Sequence, residues 1–71
     1  MGKRIKTLFH NDGKKFAEIH LEVKDEHFYV KFFENDGRLI KSIDYPGKPL
    51  RFVTDAVENW CDGSVTLDDD Y

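Results

Sequence analysis

Phe9-His10-Asn11-Asp12-Gly13-Lys14 and Phe33-Glu34-Asn35-Asp36-Gly37-Arg38 are two copies of one pattern, Phe-x-Asn-Asp-Gly-basic, each flanked by apolar, β-prone segments. Asp-Gly in that setting is a strong hairpin signal, because Gly takes φ > 0 without steric cost and Asp tolerates the turn. Two hairpins in a chain of 71 residues determine most of its fold. With only two copies the pattern is a repeated turn rather than a solenoid unit.

Around these turns the sequence predicts strands over Arg4–Phe9, Phe16–Lys24, His27–Glu34 and Arg38–Tyr45. The second strand alternates Ala17, Ile19, Leu21 and Val23 with Glu18, His20, Glu22 and Lys24, the period of a half-buried strand. Tyr45-Pro46-Gly47-Lys48-Pro49 ends the sheet. From Leu50 to Cys61, apolar side chains at Leu50, Val53, Ala56, Val57, Trp60 and Cys61 form a helical stripe, with Gly63 placed to end it. A start at Asp55, with Asp55 and Glu58 as a capping box, is the alternative. Ser64–Leu67 is a candidate short strand, and residues 68–71 read as a solvated acidic tail after a single domain over 1–67. The expected fold class is α+β: a four-stranded antiparallel meander packed on one C-terminal helix, ββββα.

Pairing follows from side-chain matching. A three-residue first loop sets Ile5 opposite Ile19 and Lys6 opposite Glu18. A tight turn at Asp25-Glu26 sets Val23 by Phe28, Leu21 by Val30 and Ile19 by Phe32. Two registers remain open at the second Asn-Asp-Gly turn. One pairs Phe33 with Leu39 and Phe32 with Ile40; the other pairs Val30 with Ile43 and Phe28 with Tyr45. A slip of one residue exchanges the faces of the last strand.

The helix stripe is expected to cover Ile5, Ala17, Ile19, Leu21, Val23, Phe28, Val30 and Phe32. The opposite face then carries Leu8, Phe16, Tyr29, Phe33 and either Leu39 or Ile40, interleaved with Arg4, Lys6, His20, Lys31 and Lys41. A large exposed apolar patch on a small protein marks an interaction surface. The candidate binding residues are Lys6, Phe16, Tyr29, Lys31, Phe33 and Lys41. Three occupants fit: another protein or a second copy of the chain, the C-terminal segment, or single-stranded nucleic acid stacked on the aromatics with its phosphates on the lysines.

Chemistry-bearing patterns do not emerge. His10, His20 and His27 lack zinc-ligand spacing, and Asp68-Asp69-Asp70 lacks the loop Gly and spacing of a calcium site. No phosphate loop or nucleophile elbow occurs, so an enzyme and a cofactor are not expected. The lone Cys61 sits on the buried helix side and suits a reducing compartment. No apolar run reaches the length of a membrane span and no signal-peptide pattern follows the basic start, so the expected location is the cytoplasm, without membrane association. The net charge of −3 supplies no global attraction to nucleic acid.

Two resemblances add expectations. Over Phe28–Gly63, an aromatic strand, the Asn35-Asp36-Gly37-Arg38 turn, a strand and the helix with Asp55-Ala56-Val57-Glu58-Asn59-Trp60 resemble small uncharacterised accessory proteins of tailed phages of marine bacteria. That resemblance implies a host-modulating or accessory protein in the host cytoplasm. Over Phe16–Trp60, the chain is similar to the arm-type DNA-binding domain of tyrosine integrases, a three-stranded sheet backed by a C-terminal helix. There, sheet side chains enter the major groove, which implies that role for Lys31, Arg38 and Lys41.

Overall fold

Each Asn-Asp-Gly segment closes a hairpin, and the strands they join form one antiparallel sheet. The computed structural model describes residues 2–64. Its elements are β1 (Gly2–Phe9), β2 (Lys15–Glu22), β3 (His27–Glu34), β4 (Leu39–Tyr45) and α1 (Leu50–Cys61), with strand order β1-β2-β3-β4. This is the expected ββββα meander. Of the candidate strand Ser64–Leu67, Ser64 instead closes the helix end through its N–H to Asn59 O, and residues 65–67, like the acidic tail at 68–71, lie outside the described residues.

The two copies of the turn close differently. In both, the Gly has φ > 0 and its N–H bonds three residues back: Gly13 (φ 71) to His10 O, Gly37 (φ 92) to Glu34 O. The second copy is tight, with Glu34 N–H on Arg38 O at 2.8 Å. The first closes one residue later, with His10 N–H on Lys15 O at 3.0 Å. In both turns the Asp carboxylate accepts the N–H two residues on, Asp12 from Lys14 at 2.7 Å and Asp36 from Arg38 at 2.9 Å; only Asp12 also pairs with a side-chain ammonium, Lys15 Nζ at 2.9 Å.

That difference corrects the expected β1 register. Phe9 pairs with Phe16, Leu8 with Ala17, Thr7 with Glu18 and Lys6 with Ile19. A bulge at Ile5 then absorbs one residue, and Arg4 pairs with His20. Ile5 is therefore not opposite Ile19 and is 39% exposed, whereas Leu8 packs against the core. Between β2 and β3, Leu21 pairs with Phe28, Ile19 with Val30 and Ala17 with Phe32. The expected pairing is displaced by two residues, because Asp25-Glu26 lacks the Gly that a two-residue turn favours. The turn widens to Val23–Glu26, with Glu26 at φ 53 and Val23 57% exposed. A shift of two preserves the faces, so Ala17, Ile19, Val30 and Phe32 keep their places under the helix, while Val23, expected in the core, falls in the turn.

The second β4 register holds over most of the strand, and of the first only the Phe33–Leu39 pair occurs, Phe32 pairing with Lys41 rather than Ile40. Phe33 pairs with Leu39, then a bulge at Ile40 changes step, and Phe32 pairs with Lys41, Val30 with Ile43 and Phe28 with Tyr45.

The core is Ala17, Ile19, Val30 and Phe32 of the sheet under Val53, Val57 and Trp60 of the helix. Leu8, Phe28, Ile43, Tyr45 and Cys61 flank it. Trp60 stands edge-on to Phe32, 4.8 Å between centroids, and to His10 at 4.9 Å. The helix lies mainly across β1, β2 and β3 and reaches β4 through Phe52 against Tyr45. It begins at Leu50 after Pro49, whose carbonyl accepts the Val53 N–H at 3.2 Å, rather than at Asp55. At its other end Gly63 N–H bonds Trp60 O and Ser64 N–H bonds Asn59 O, a Schellman closure with Gly63 at φ 88.

Candidate interaction face

Alternation along each strand sends every second side chain away from the helix, and the pairings arrange those side chains in cross-strand rows. The first row is Phe9–Phe16–Phe33–Leu39, apolar throughout. The second is Thr7–Glu18–Lys31–Ser42, and the third Arg4–His20–Tyr29–Asp44. Gly2–Glu22–His27 ends the face. The two bulges create this order: the Ile5 bulge brings Arg4 level with His20, and the Ile40 bulge brings Leu39 level with Phe33.

Along the apolar row, the Phe16 and Phe33 rings stack at 5.0 Å with an 18° interplanar angle, and Phe9 leans on Phe16 at 6.2 Å. Phe9 is 73% exposed and Leu39 51%, so the row ends project into solvent. In the third row, His20 and Tyr29 stack at 5.0 Å with 8° between planes. Tyr29 crosses the sheet so far that a Cβ on Gly2 would overlap its hydroxyl. Lys31 Nζ lies 5.9 Å from the Tyr29 ring centre. Glu18 joins the rows, with Oε1 2.9 Å from His20 Nε2 and Oε2 3.7 Å from Arg4. His27 Nε2 lies 3.9 Å from Asp44.

Of the six candidate residues, Phe16, Tyr29, Lys31 and Phe33 share this face. Lys6 and Lys41 do not. Lys6 pairs with Ile19 and Lys41 with Phe32, which sets both on the helix side. The cause is the one-residue change of step at the first loop and at Ile40. Leu8 moves to the helix side for the same reason, and Phe9 and Thr7 take its place. Asp44 and Ser42 complete the rows, and neither carries a composition or motif signal in the sequence. The cations left on the face, Arg4 and Lys31, are answered by Glu18, Glu22 and Asp44.

The edges of the sheet offer less. β1 carries Lys3, Arg4, Lys6 and a bulge, and β4 carries Lys41, Asp44 and a bulge. Charges and bulges on edge strands oppose strand addition.

Elsewhere the chemistry is structural. His10 Nδ1 accepts the Asp12 N–H at 3.1 Å while the ring packs on Trp60. Burial raises the Cys61 thiol pKa, which disfavours the reactive thiolate. Among the described residues, no group of three or more His, Cys, Asp or Glu is placed to hold a metal ion, and no helix is long and apolar enough to cross a membrane. Lys14, Glu34, Asn35, Asp36 and Arg38 line only a shallow open depression at the second turn. Comparison with protein-family models, with curated proteins and with solved structures returns no match.

Proposed function

We propose that this chain is a small non-enzymatic protein-binding module that self-associates through the open face of its sheet. The supporting observation is the apolar row Phe9–Phe16–Phe33–Leu39, which lies opposite the helix with both ends exposed. Burying such a row is favourable by about 25 cal/mol per Å² of apolar surface removed from water. The charged, bulged edges direct association to the face rather than to strand addition. An accessory role like that of the phage proteins it resembles is compatible with binding of this kind.

A nucleic-acid platform is the rival reading. It rests on the aromatic stacks and on Lys31 and Arg4, but the neighbouring carboxylates oppose a polyanion. Light scattering across concentration distinguishes the two. Self-association predicts a dimer that the paired change Tyr29→Ser and Phe33→Ser returns to monomer while the far-ultraviolet helix signal remains. A wild-type chain that stays monomeric at about 500 μM, where even a weak dimer of roughly 100 μM Kd is populated, overturns it. Salt-dependent binding to a single-stranded oligonucleotide, weakened by Lys31→Ala, favours the rival.

A further inference from the structure

The rows of the open face are self-complementary when reversed. We infer that the occupant is a second copy of this chain, related by a two-fold axis lying between the sheets and parallel to their strands. This rests on the self-association reading and adds its geometry. Such an axis places β1 over the partner's β4 and β2 over the partner's β3, and it turns each row end for end upon itself. Phe9 then faces Leu39 and Phe16 faces Phe33, apolar on apolar. Thr7 faces Ser42, and Glu18 faces Lys31 with opposite charge. Arg4 faces Asp44, again with opposite charge, and His20 faces Tyr29. Glu22 faces His27. No row opposes like charges.

An axis running across the strands fails the same comparison. It sets the apolar row against the Gly2–Glu22–His27 end of the partner, or overlaps the apolar rows alone. The inner pairs are also partners across β2 and β3 within one chain, so their matching serves the sheet itself; Phe9 with Leu39, Thr7 with Ser42 and Arg4 with Asp44 join the two edge strands, which do not touch within a chain, and their matching is what an isologous contact requires. Two sheets packed face to face lie about 10 Å apart with strands some 30° from parallel, which displaces the outermost pairs by about one strand. Strand spacing and length give a face on the order of 450 Å² per partner. That is below the roughly 800 Å² of a standard interface, in the size range of weak, transient contacts.

Cysteine cross-linking tests the orientation. Across the inferred axis Thr7 and Ser42 face each other over the roughly 10 Å between packed sheets, wider than the roughly 7 Å between Cα atoms that a disulfide spans, so a short thiol-reactive bis-maleimide is the probe rather than oxidation. In a Cys61→Ala background, an equal mixture of the single variants Thr7→Cys and Ser42→Cys, in which no link within a chain can form, should be joined into a covalent dimer. Either single variant alone should stay unlinked. A Thr7→Cys chain that links to itself overturns the orientation, as does a mixture that is dimeric by light scattering yet never links; self-association survives both results. A chain monomeric by scattering and unlinked overturns the orientation and the self-association together.

Discussion

Asn11 joins the first turn to the end of the helix: its backbone N–H donates to the Cys61 carbonyl at 2.7 Å, and its side-chain amide donates to the next carbonyl, Asp62, at 3.1 Å. These are carbonyls a helix end otherwise leaves unpaired. The matching Asn35 of the second turn donates its backbone N–H to Lys14 instead, far from the helix. Asn11→Ala should therefore cost about 1 kcal/mol, while Asn35→Ala stays within about 0.5 kcal/mol. Urea unfolding of the two variants measures both, and equal losses would show that the turns are interchangeable.

Acid should loosen this same corner. The Lys14 N–H, then the Lys15 ammonium, hold the Asp12 carboxyl below its ordinary pKa of 3.8. A carboxylate depressed in the folded state stabilises it fully above the unfolded pKa, and that contribution fades as pH falls through the folded value. Stability near neutrality should thus be insensitive to pH through Asp12 and should drop below about pH 4. Asp12→Asn should flatten that acid limb, as thermal unfolding across pH would record.

Backbone conformation at two turns predicts changes of opposite sign. Glu26 holds φ 53, where a side chain is disfavoured, so Glu26→Gly should raise stability by about 0.5–1 kcal/mol. Gly37 holds φ 92 with open space around it, so Gly37→Ala should lower stability by about 1 kcal/mol through strain alone. Chemical denaturation midpoints of the two variants check both signs.

Trp60 touches both the sheet core at Phe32 and the first loop at His10. Trp60→Ala should remove about 3–5 kcal/mol, a large part of what a small domain has. Loss of cooperative unfolding is the expected result. A variant that keeps a sharp transition near the wild-type midpoint would show that Val53 and Val57 hold the helix without it.

Strand positions, the helix span and the buried set Ala17, Ile19, Val30 and Phe32 are legible from periodicity, because burial on one face imposes a period that the sequence displays. The β2–β3 pairing is misread by two residues without consequence for the faces, since the side-chain period is also two. What periodicity cannot reveal is a single inserted residue. The bulges at Ile5 and Ile40, and the extra residue of the first loop, depend on contacts between strands. Those insertions move Lys6, Leu8 and Lys41 to the helix side and bring Phe9 to the open face. On the candidate face, Phe16, Tyr29 and Phe33 with the interleaved Arg4, His20 and Lys31 are legible from alternation, whereas the departure of Lys6 and Lys41 is not.

A mixing experiment tests the proposed contact of one open face with another through opposed charges around an apolar row. Glu18→Lys and Lys31→Glu each set like charges against the partner in a self-pair, while the two variants mixed restore opposite charges across the interface. Mixing cannot repair a charge disturbed within either chain, so any regained association belongs to the contact between chains. Sedimentation equilibrium at low salt should show each variant as a monomer and the equimolar mixture as a dimer, with association weakening as salt rises. A mixture that stays monomeric, or variants that dimerise alone as well as the wild type does, would rule out that contact.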